Sequence, residues 1–184
     1  PTRTGVIEIL KQMGADITVQ NERIAGGEPI ADIRIQGAHT LKGIHIPEDQ
    51  VPIALDDFPS LFIAAACAEG HTILTGAAEL RVKESDRIQV MADGLKTMGI
   101  ECTPTEDGII IEGKGKAGEW GAIFTGGEIE SHHDHRIAMS FSMAGLRSSD
   151  EIKIVGTETV ATSFPTFTQL TEQAGLSIQV SELD

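Results

Sequence analysis

The feature that most constrains the fold of this chain is an internal repeat made of a helix, a glycine and a strand. Copies of this plan begin at Leu10, Leu95 and Leu170. In each copy, residues at helical spacing are followed by a glycine, which readily adopts the left-handed conformation that ends a helix, and then by a short run suited to a strand. A chain built in this way is expected to stack similar units around a shared core.

A second unit recurs between these copies, and it contains an apolar helix, a strand and a further glycine. Its two copies have helix ends at Gly70 and Gly145 and strands over residues 72–74 and 152–155. Further short strands are expected around Ile33, Ile44 and Ile110. Together these elements form a βαβαββ-like unit of roughly 80 residues that is present twice and in part a third time. Such alternation favours an α/β fold with layered packing.

The stretch LRVKESDR over residues 80–87 places three cations and two carboxylates directly before an amphipathic helix. The apolar residues from Ile88 onward repeat at helical spacing, so Lys83 and Glu84 are expected at or just before the first turn, with Arg87 beyond them. Free N–H groups and the positive end of the helix dipole attract anions at such a position. The stretch therefore predicts a phosphate or carboxylate site in which Glu84 carries a proton, although composition alone also fits a solvated charge run.

Acidic or hydroxyl residues are predicted to cap the starts of three more helices. Asp56 and Asp57 precede Pro59, Asp134 precedes the helix from residue 137, and Ser163 is expected to cap a helix opened by Pro165. If the repeats are related by approximate symmetry, these starts and the one at Asp86 face one way and can converge on one ligand. For Asp56 or Asp57 taken alone, plain capping is the simpler interpretation.

Composition excludes several classes of protein. The chain has 184 residues, 40% of them hydrophobic, with a mean hydropathy of −0.02, which is typical of one or two soluble globular domains. No apolar run approaches the roughly 20 residues of a membrane helix, and no signal peptide is evident, so a cytoplasmic location is expected. A net charge of −14 argues against a nucleic-acid partner.

Cys67 and Cys102 have no metal-ligand spacing and are interpreted as buried, non-catalytic thiols.

The charged motifs together resemble a known family, the 5-enolpyruvylshikimate-3-phosphate synthases. LRVKESDR is similar to one signature of that family, and DHRIAMS, which begins at Asp134, is similar to a second. Four further segments agree: PTRTG at Pro1, MGAD at Met13, LDDFP at Leu55 and ATSFP at Ala161. The resemblance extends from end to end and is closest to the glyphosate-insensitive class II branch. It implies an enolpyruvyl transferase-like lobe, an inside-out α/β barrel with central helices and outer sheets.

The same resemblance implies that the chain is part of a two-lobe enzyme. A helix is predicted from Gly5 to Met13, so the chain opens inside an element. We expect residues 1–184 to form one C-terminal lobe, with an incomplete first repeat at about 1–50, a second at about 51–125 and a third at about 126–184. The N-terminal lobe, expected to supply much of the shikimate-phosphate site, is then a partner that this chain lacks.

Members of the resembled family transfer the enolpyruvyl group of phosphoenolpyruvate to the 5-hydroxyl of shikimate 3-phosphate, which leads to chorismate and the aromatic amino acids. No metal or organic cofactor is expected. The resemblance assigns a base to Asp56, a proton donor to Glu84, shikimate-phosphate contact and proton organisation to Lys83, phosphoenolpyruvate binding to Arg87 and Arg136, and an orienting role to His135. Arginine suits such anions because its planar fork donates two parallel hydrogen bonds.

Two positions depart from the class I pattern of this family. Thr162 stands where class I carries a lysine, and Glu79 stands where class I carries an asparagine. Both changes fit class II, and neither residue is included in the predicted site.

Other site chemistries have less support in the sequence. His132, His133, Asp134 and His135 offer groups that bind zinc or iron, but adjacent histidines in a loop rarely point at one ion. Residues 113–121 contain lysines and glycines without the GKS or GKT of a nucleotide loop, so a hairpin turn is expected there.

Two functional alternatives remain open. The chain as it stands is expected to be inactive alone, and one alternative is a non-catalytic lobe with weak anion binding. Among enzymes, the alternative is the related UDP-N-acetylglucosamine enolpyruvyl transferase, which shares the repeat architecture.

Overall fold

A computed structural model describes residues 4–37 and 40–181, within which helices and strands alternate along the chain. The helices are α1 (Gly5–Gln12), α2 (Val51–Ala54), α3 (Phe58–Ala66), α4 (Arg87–Thr97), α5 (His135–Ala144), α6 (Glu158–Ser163) and α7 (Phe167–Gln173). The strands are β1 (Asp16–Ala25), β2 (Glu28–Gln36), β3 (Glu69–Leu74), β4 (Cys102–Pro104), β5 (Ile109–Lys114), β6 (Gly127–Glu130) and β7 (Ile152–Val155). Among the described residues, no helix combines the length and the apolar character needed to cross a membrane.

The strands form three small sheets. β1 and β2 form an antiparallel hairpin, β3, β5 and β4 form an antiparallel sheet in that order, and β6 pairs in parallel with β7. The succession α1, β1, β2 is therefore repeated by α4, β4, β5, as the internal repeat predicts. In the second copy, β3 adds a third strand beside β5.

Helix α3 lies in the middle of the core. Its sequence FPSLFIAAA is apolar on nearly every side, and residues such as Phe58 and Phe62 are fully buried. It packs against α5, α4 and β5. Helices α4 and α5 approach each other closely, since a Cβ added at Gly94 would lie 2.3 Å from Cζ of Phe141. Helices thus occupy the inside and sheets the outside, and the predicted α/β layering is confirmed.

The first turns of α3, α4 and α5 meet at one end of this core. The side chains of Ser60 in α3 and Ser140 in α5 lie 3.1 Å apart. Arg87, the first residue of α4, contacts both the segment before α3 and the segment before α5. The predicted convergence of helix starts is therefore confirmed for these three helices.

Only two of the predicted caps are made by a side chain. Asp86 accepts a hydrogen bond from the Gln89 N–H at 3.0 Å, and Asp134 accepts one from the Arg136 N–H at 3.0 Å. Asp57 occupies the N-cap position of α3 without a side-chain capping hydrogen bond. Plain capping therefore does not explain the acidic pair before α3.

The predicted cap at Ser163 is wrong. Ser163 is the last residue of α6, and α7 begins only at Phe167. The reason is Pro165, which disfavours helical geometry in the preceding residue. Phe164 accordingly has φ −145° and ψ 78°, which ends α6.

Three predicted strands or turns differ from the structure. The segment around Ile44 makes only isolated parallel bridges to β3, through Lys42 and His45, and is not a continuous strand. Residues 176–180 form no strand, because none of the described residues pairs with them. Residues 115–121 are a loop that leads from β5 to another sheet, and so they are not a hairpin turn.

Two predicted helix ends at glycines are also wrong. Helix α3 ends at Ala66, and Gly70 lies inside β3. Gly145 has φ −56°, so α5 continues directly into a 3-10 turn at Gly145–Arg147. The stops at Gly14, Gly99 and Gly175 in the three repeats have the positive φ that was predicted.

Candidate active site

The guanidinium group of Arg87 lies at the centre of the candidate site. Its side chain is only 1% exposed, and it contacts carboxylates from three segments. Its Nε and Nη2 donate to Oδ2 and Oδ1 of Asp134 at 2.9 and 3.4 Å. Its Nη1 donates to Asp56 Oδ1 at 3.3 Å, and Nη2 also donates to Glu84 Oε2 at 2.6 Å. Charge partners of this kind offset the desolvation of a buried arginine.

Asp134 is the most enclosed member of the site, with a side chain that is 0% exposed. Besides Arg87, it accepts hydrogen bonds from the Ser85 hydroxyl at 2.9 Å and from the Arg136 N–H at 3.0 Å. Burial raises the pKa of Asp134, but the hydrogen bonds and charge of Arg87, with help from the other two donors, outweigh burial and hold the pKa below its usual value. Asp134 is therefore a carboxylate at neutral pH.

Arg136 binds the segment that precedes α3. Its Nη1 donates to the backbone oxygen of Asp56 at 2.6 Å and lies 3.6 Å from Asp57 Oδ1. Its Nη2 lies 4.0 Å from Asp56 Oδ2. Arg136 is about one-quarter exposed and so remains open to a ligand.

Lys83 approaches the same acidic segment from the other side. Its Nζ donates to Glu79 Oε1 at 2.6 Å and lies 3.9 Å from Asp56 Oδ1. Lys83 directly follows a 3-10 turn at Ala78–Val82 and lies in the short loop before α4, which begins at Arg87.

The structure therefore brings five of the predicted site residues into one network: Asp56, Lys83, Glu84, Arg87 and Arg136. The sixth, His135, is the half-buried first residue of α5 and lies next to Arg136 in the chain. Within the described part of the chain, its ring makes no hydrogen bond or ion pair. His135 is thus near the network without joining it.

The network combines anion-binding groups with groups that can transfer protons. Two of its carboxylates, Glu84 and Asp56, have side chains that are 53% and 36% exposed. Both contact Arg87, where an incoming phosphate or carboxylate can replace them. The site can therefore hold an anion between arginines while an acid and a base stand beside it.

The neighbouring histidines have separate surroundings. His132 and His133 are exposed and adopt positive φ angles of 52° and 60°. The ring of His133 pairs with Glu158 at the start of α6, whereas Asp134 faces inward to Arg87. Over residues 4–37 and 40–181, no group of three or more His, Cys, Asp or Glu side chains is arranged to hold a metal ion.

The two cysteines are partly buried free thiols. Burial raises the pKa of Cys67 to about 11, although the charge of Arg147 opposes this, and burial also raises the pKa of Cys102. Thiols of this kind are poor nucleophiles at neutral pH.

A separate open cleft of about 720 Å³ lies beyond the C-terminal end of α3. Basic residues Lys114, Lys116 and Arg147 line it together with Glu69 and Glu119. None of the predicted site residues lines this cleft.

Three acidic residues of the site were not predicted as such. The sequence predicts Asp134 and Asp57 as helix caps, and the predicted site does not include Glu79. The i,i+4 spacing of Glu79 and Lys83 is typical of an ion pair on a helical turn and could have indicated that contact. The pairing of Asp134 with Arg87 joins residues 47 positions apart, and no local pattern reveals it.

Comparisons with known proteins agree on one family. Residues 1–170 match the family described as EPSP synthase (3-phosphoshikimate 1-carboxyvinyltransferase). A 3-phosphoshikimate 1-carboxyvinyltransferase from Methylococcus capsulatus is 59% identical over 181 residues, which are 98% of this chain and 39% of that protein. One from Hydrogenovibrio crunogenus is 57% identical over 183 residues, covering 100% of this chain and 40% of that protein.

Solved structures give the same result. A structure of EPSP synthase from Acinetobacter baumannii is 82% identical, has a TM-score of 0.98, and is matched over 99% of this chain and 41% of that chain. A second one from the same organism is 80% identical, with a TM-score of 0.95. The predicted enolpyruvyl transferase-like α/β fold is thereby confirmed. The chain spans about 40% of the length of the curated relatives that it matches.

Proposed function

The chain belongs to the EPSP synthase family, and on that premise we propose that the full protein transfers the enolpyruvyl group of phosphoenolpyruvate to the 5-hydroxyl of shikimate 3-phosphate and releases phosphate. The names of the relatives support this reaction over transfer to UDP-N-acetylglucosamine. A role in aromatic amino acid biosynthesis and a cytoplasmic location are parts of the same proposal.

The proposed chemistry needs one base and one acid at a shared centre. Asp56 accepts the proton of the attacking 5-hydroxyl, and Glu84 delivers a proton to the methylene carbon of phosphoenolpyruvate. The new carbon–oxygen bond forms as that carbon becomes a methyl group. Glu84, now a carboxylate, then takes back one methyl proton as the bond between the adjacent carbon and the phosphate oxygen breaks, so that phosphate leaves and the double bond is restored. The contacts of Asp56 and Glu84 with two nitrogens of one guanidinium support their placement on one reacting group.

The anionic parts of the substrates require cations. We assign phosphoenolpyruvate to Arg87 and Arg136, the phosphate of shikimate 3-phosphate to Lys83, and an orienting role to His135. Three cations from two segments of the chain can stabilise the charge of both substrates, so the proposed reaction relies on side chains and requires no metal or organic cofactor.

We further propose that this chain is the C-terminal lobe of the enzyme, with repeats at about 1–50, 51–125 and 126–184, and that an N-terminal lobe completes the site. The chain covers about 40% of its relatives' length, which supports a division of this kind. The recurrence of a helix followed by an antiparallel hairpin supports the repeats.

The observation that carries the proposal is the network in which Arg87 joins Asp56, Glu84 and Asp134 while Lys83 and Arg136 flank Asp56. The test is phosphate release from phosphoenolpyruvate and shikimate 3-phosphate by the full-length protein, by the 184-residue chain, and by the chain mixed with the remaining lobe. We expect turnover by the full-length protein and no measurable rate from the chain alone. Normal turnover by the isolated chain contradicts the two-lobe assignment, and no turnover by the full-length protein contradicts the proposed function.

A further inference from the structure

Asp134 contacts several parts of the site although no ligand can reach it. Its carboxylate is completely buried, and its two oxygens accept four hydrogen bonds. Two come from Arg87, one from the Ser85 hydroxyl and one from the Arg136 N–H. These donors belong to the loop before α4, to α4 itself and to α5.

We propose that Asp134 is a positioning residue. It fixes the orientation of the Arg87 guanidinium group for phosphoenolpyruvate and also fixes the position of Arg87 relative to Arg136. This inference rests on the proposed function, because it concerns the same anion site. It assigns to Asp134 a role beyond capping α5 and beyond neutralising a buried charge.

Asp134 orients the Arg87 guanidinium group from its buried side. The guanidinium group has five N–H donors in a fixed plane. Asp134 accepts from Nε and Nη2, which fixes that plane from the buried side. Nη1 and the second donor of Nη2 are then directed toward Asp56 and Glu84 on the exposed side. A ligand that replaces these two carboxylates therefore meets a guanidinium already held in place.

Asp134 also connects Arg87 to other residues of the site. Ser85 follows Glu84 directly, so its hydrogen bond to Asp134 anchors the loop that carries the proposed proton donor. The Arg136 N–H is bound by the same carboxylate, which fixes the turn from which the Arg136 side chain reaches the segment before α3. One buried carboxylate thus sets the relative positions of two arginines and one acid.

Asp86 provides a matched comparison within the same region. It also caps a helix, accepting from the Gln89 N–H, and it also pairs with an arginine, since Arg81 Nη1 lies 2.7 Å from Asp86 Oδ2. However, Asp86 is partly exposed and contacts none of the proposed substrate-binding cations. Asp86→Asn therefore removes a cap and an arginine pair without removing a contact to a proposed substrate-binding cation, and it measures how far those two losses alone change kcat/KM.

The experiment is a double-mutant cycle in the full-length enzyme. Asp134→Asn is made alone and in the Arg87→Lys background, with Asp86→Asn as the control, and kcat/KM for phosphoenolpyruvate and KM for shikimate 3-phosphate are measured. A displacement of about 1 Å in a binding group can cost on the order of a hundredfold in rate. We expect Asp134→Asn to lower kcat/KM for phosphoenolpyruvate about tenfold to a hundredfold, while KM for shikimate 3-phosphate changes less than about threefold.

In the Arg87→Lys background, Asp134→Asn should add less than about a threefold loss, because the guanidinium through which Asp134 acts is gone. Asp86→Asn should leave kcat/KM for phosphoenolpyruvate within about twofold. Equal losses from Asp134→Asn in both backgrounds overturn the positioning role, as does a loss from Asp86→Asn as large as that from Asp134→Asn.

If Asp134→Asn does not fold, Ser85→Ala replaces it in the cycle because it removes one donor to Asp134 without removing a charge. A loss of kcat/KM for phosphoenolpyruvate that disappears in the Arg87→Lys background supports the role, and an equal loss in both backgrounds overturns it. Failure of the proposed function has a different signature, since the unsubstituted enzyme then releases no phosphate. In that case the affinity for inorganic phosphate is measured for the same variants. A loss of affinity that disappears in the Arg87→Lys background supports the positioning role, and an equal loss in both backgrounds overturns it.

Discussion

Arg87 and Asp134 are 47 positions apart in the chain and form a buried ion pair, with Arg87 Nε 2.9 Å from Asp134 Oδ2. Their side chains are 1% and 0% exposed. The pair links the start of α4 to the start of α5 beneath the candidate site. Helix packing and the candidate site are therefore coupled at this contact, and removing either partner leaves the other without its fully buried ion pair.

Asp134 should make the stability of the full-length protein sensitive to acid. Because its folded-state pKa lies below the usual value of 3.8, its contribution is fully present above about pH 4 and is lost as the pH falls through the folded-state pKa. Asp134→Asn should cost about 3–5 kcal/mol at neutral pH and should reduce the further loss on acidification. Urea unfolding between pH 7 and pH 3 measures both effects.

The control for this prediction is Asp32→Asn, which removes an exposed carboxylate on the β1–β2 hairpin. It should change stability by less than about 1 kcal/mol at any of these pH values. An acid dependence that is identical in Asp134→Asn and the unsubstituted protein would show that Asp134 does not carry it.

Glu84→Gln should lower kcat by about 10²–10⁴-fold in the full-length enzyme, because the amide keeps the shape of the side chain but cannot donate the proton. Steady-state kinetics should show a much smaller change in KM for either substrate. Glu128→Gln, which removes an exposed partner of Lys153 on another sheet, should leave kcat unchanged. Unchanged turnover in Glu84→Gln removes Glu84 from the mechanism.

Arg136→Lys should raise KM for phosphoenolpyruvate by about tenfold, since the charge is retained but the two-pronged geometry is lost. Calorimetric unfolding should show a folded protein. The matched control is Arg34→Lys on the exposed strand β2, where the side chain donates a hydrogen bond to Gln36. If Arg136→Lys leaves KM unaltered, the contacts of Arg136 with the segment before α3 are structural.

Gly94→Ala should destabilise the protein by about 1–3 kcal/mol despite the higher helix propensity of alanine. The added Cβ would lie 2.3 Å from Cζ of Phe141, so α4 and α5 must move apart. Gly121→Ala is the control, because nothing lies within 4 Å of its added Cβ. Thermal unfolding of both variants, and of Gly94→Ala combined with Phe141→Leu, checks the prediction. If the smaller residue restores no stability, the ring of Phe141 is not the cause.

The parts of the fold that follow from local patterns were predictable from the sequence. The apolar face of α4, including Met91 and Leu95, is buried as its spacing indicates. β7 has the predicted bounds of Ile152 and Val155 because its β-branched run is flanked by turn residues. The sequence motifs also predicted which five charged side chains would form one network.

The parts that depend on distant partners were not predictable in this way. Residues 176–180 have the pattern of a strand, but a strand also needs a neighbour to pair with. The Ser163 cap failed because the conformational effect of Pro165 on Phe164 outweighs the capping preference of serine. The role of Asp134 depends on the packing of α4 against α5, which brings Arg87 to it from a remote part of the chain.

The most direct test of the shared anion site is a crystal structure of the full-length protein with shikimate 3-phosphate and inorganic phosphate, a pair that cannot turn over. We expect phosphate oxygens within hydrogen-bonding distance of the guanidinium groups of Arg87 and Arg136, with Glu84 displaced from Arg87. Phosphate bound instead in the cleft lined by Lys114, Lys116 and Arg147, with the Arg87 network unchanged, would contradict it.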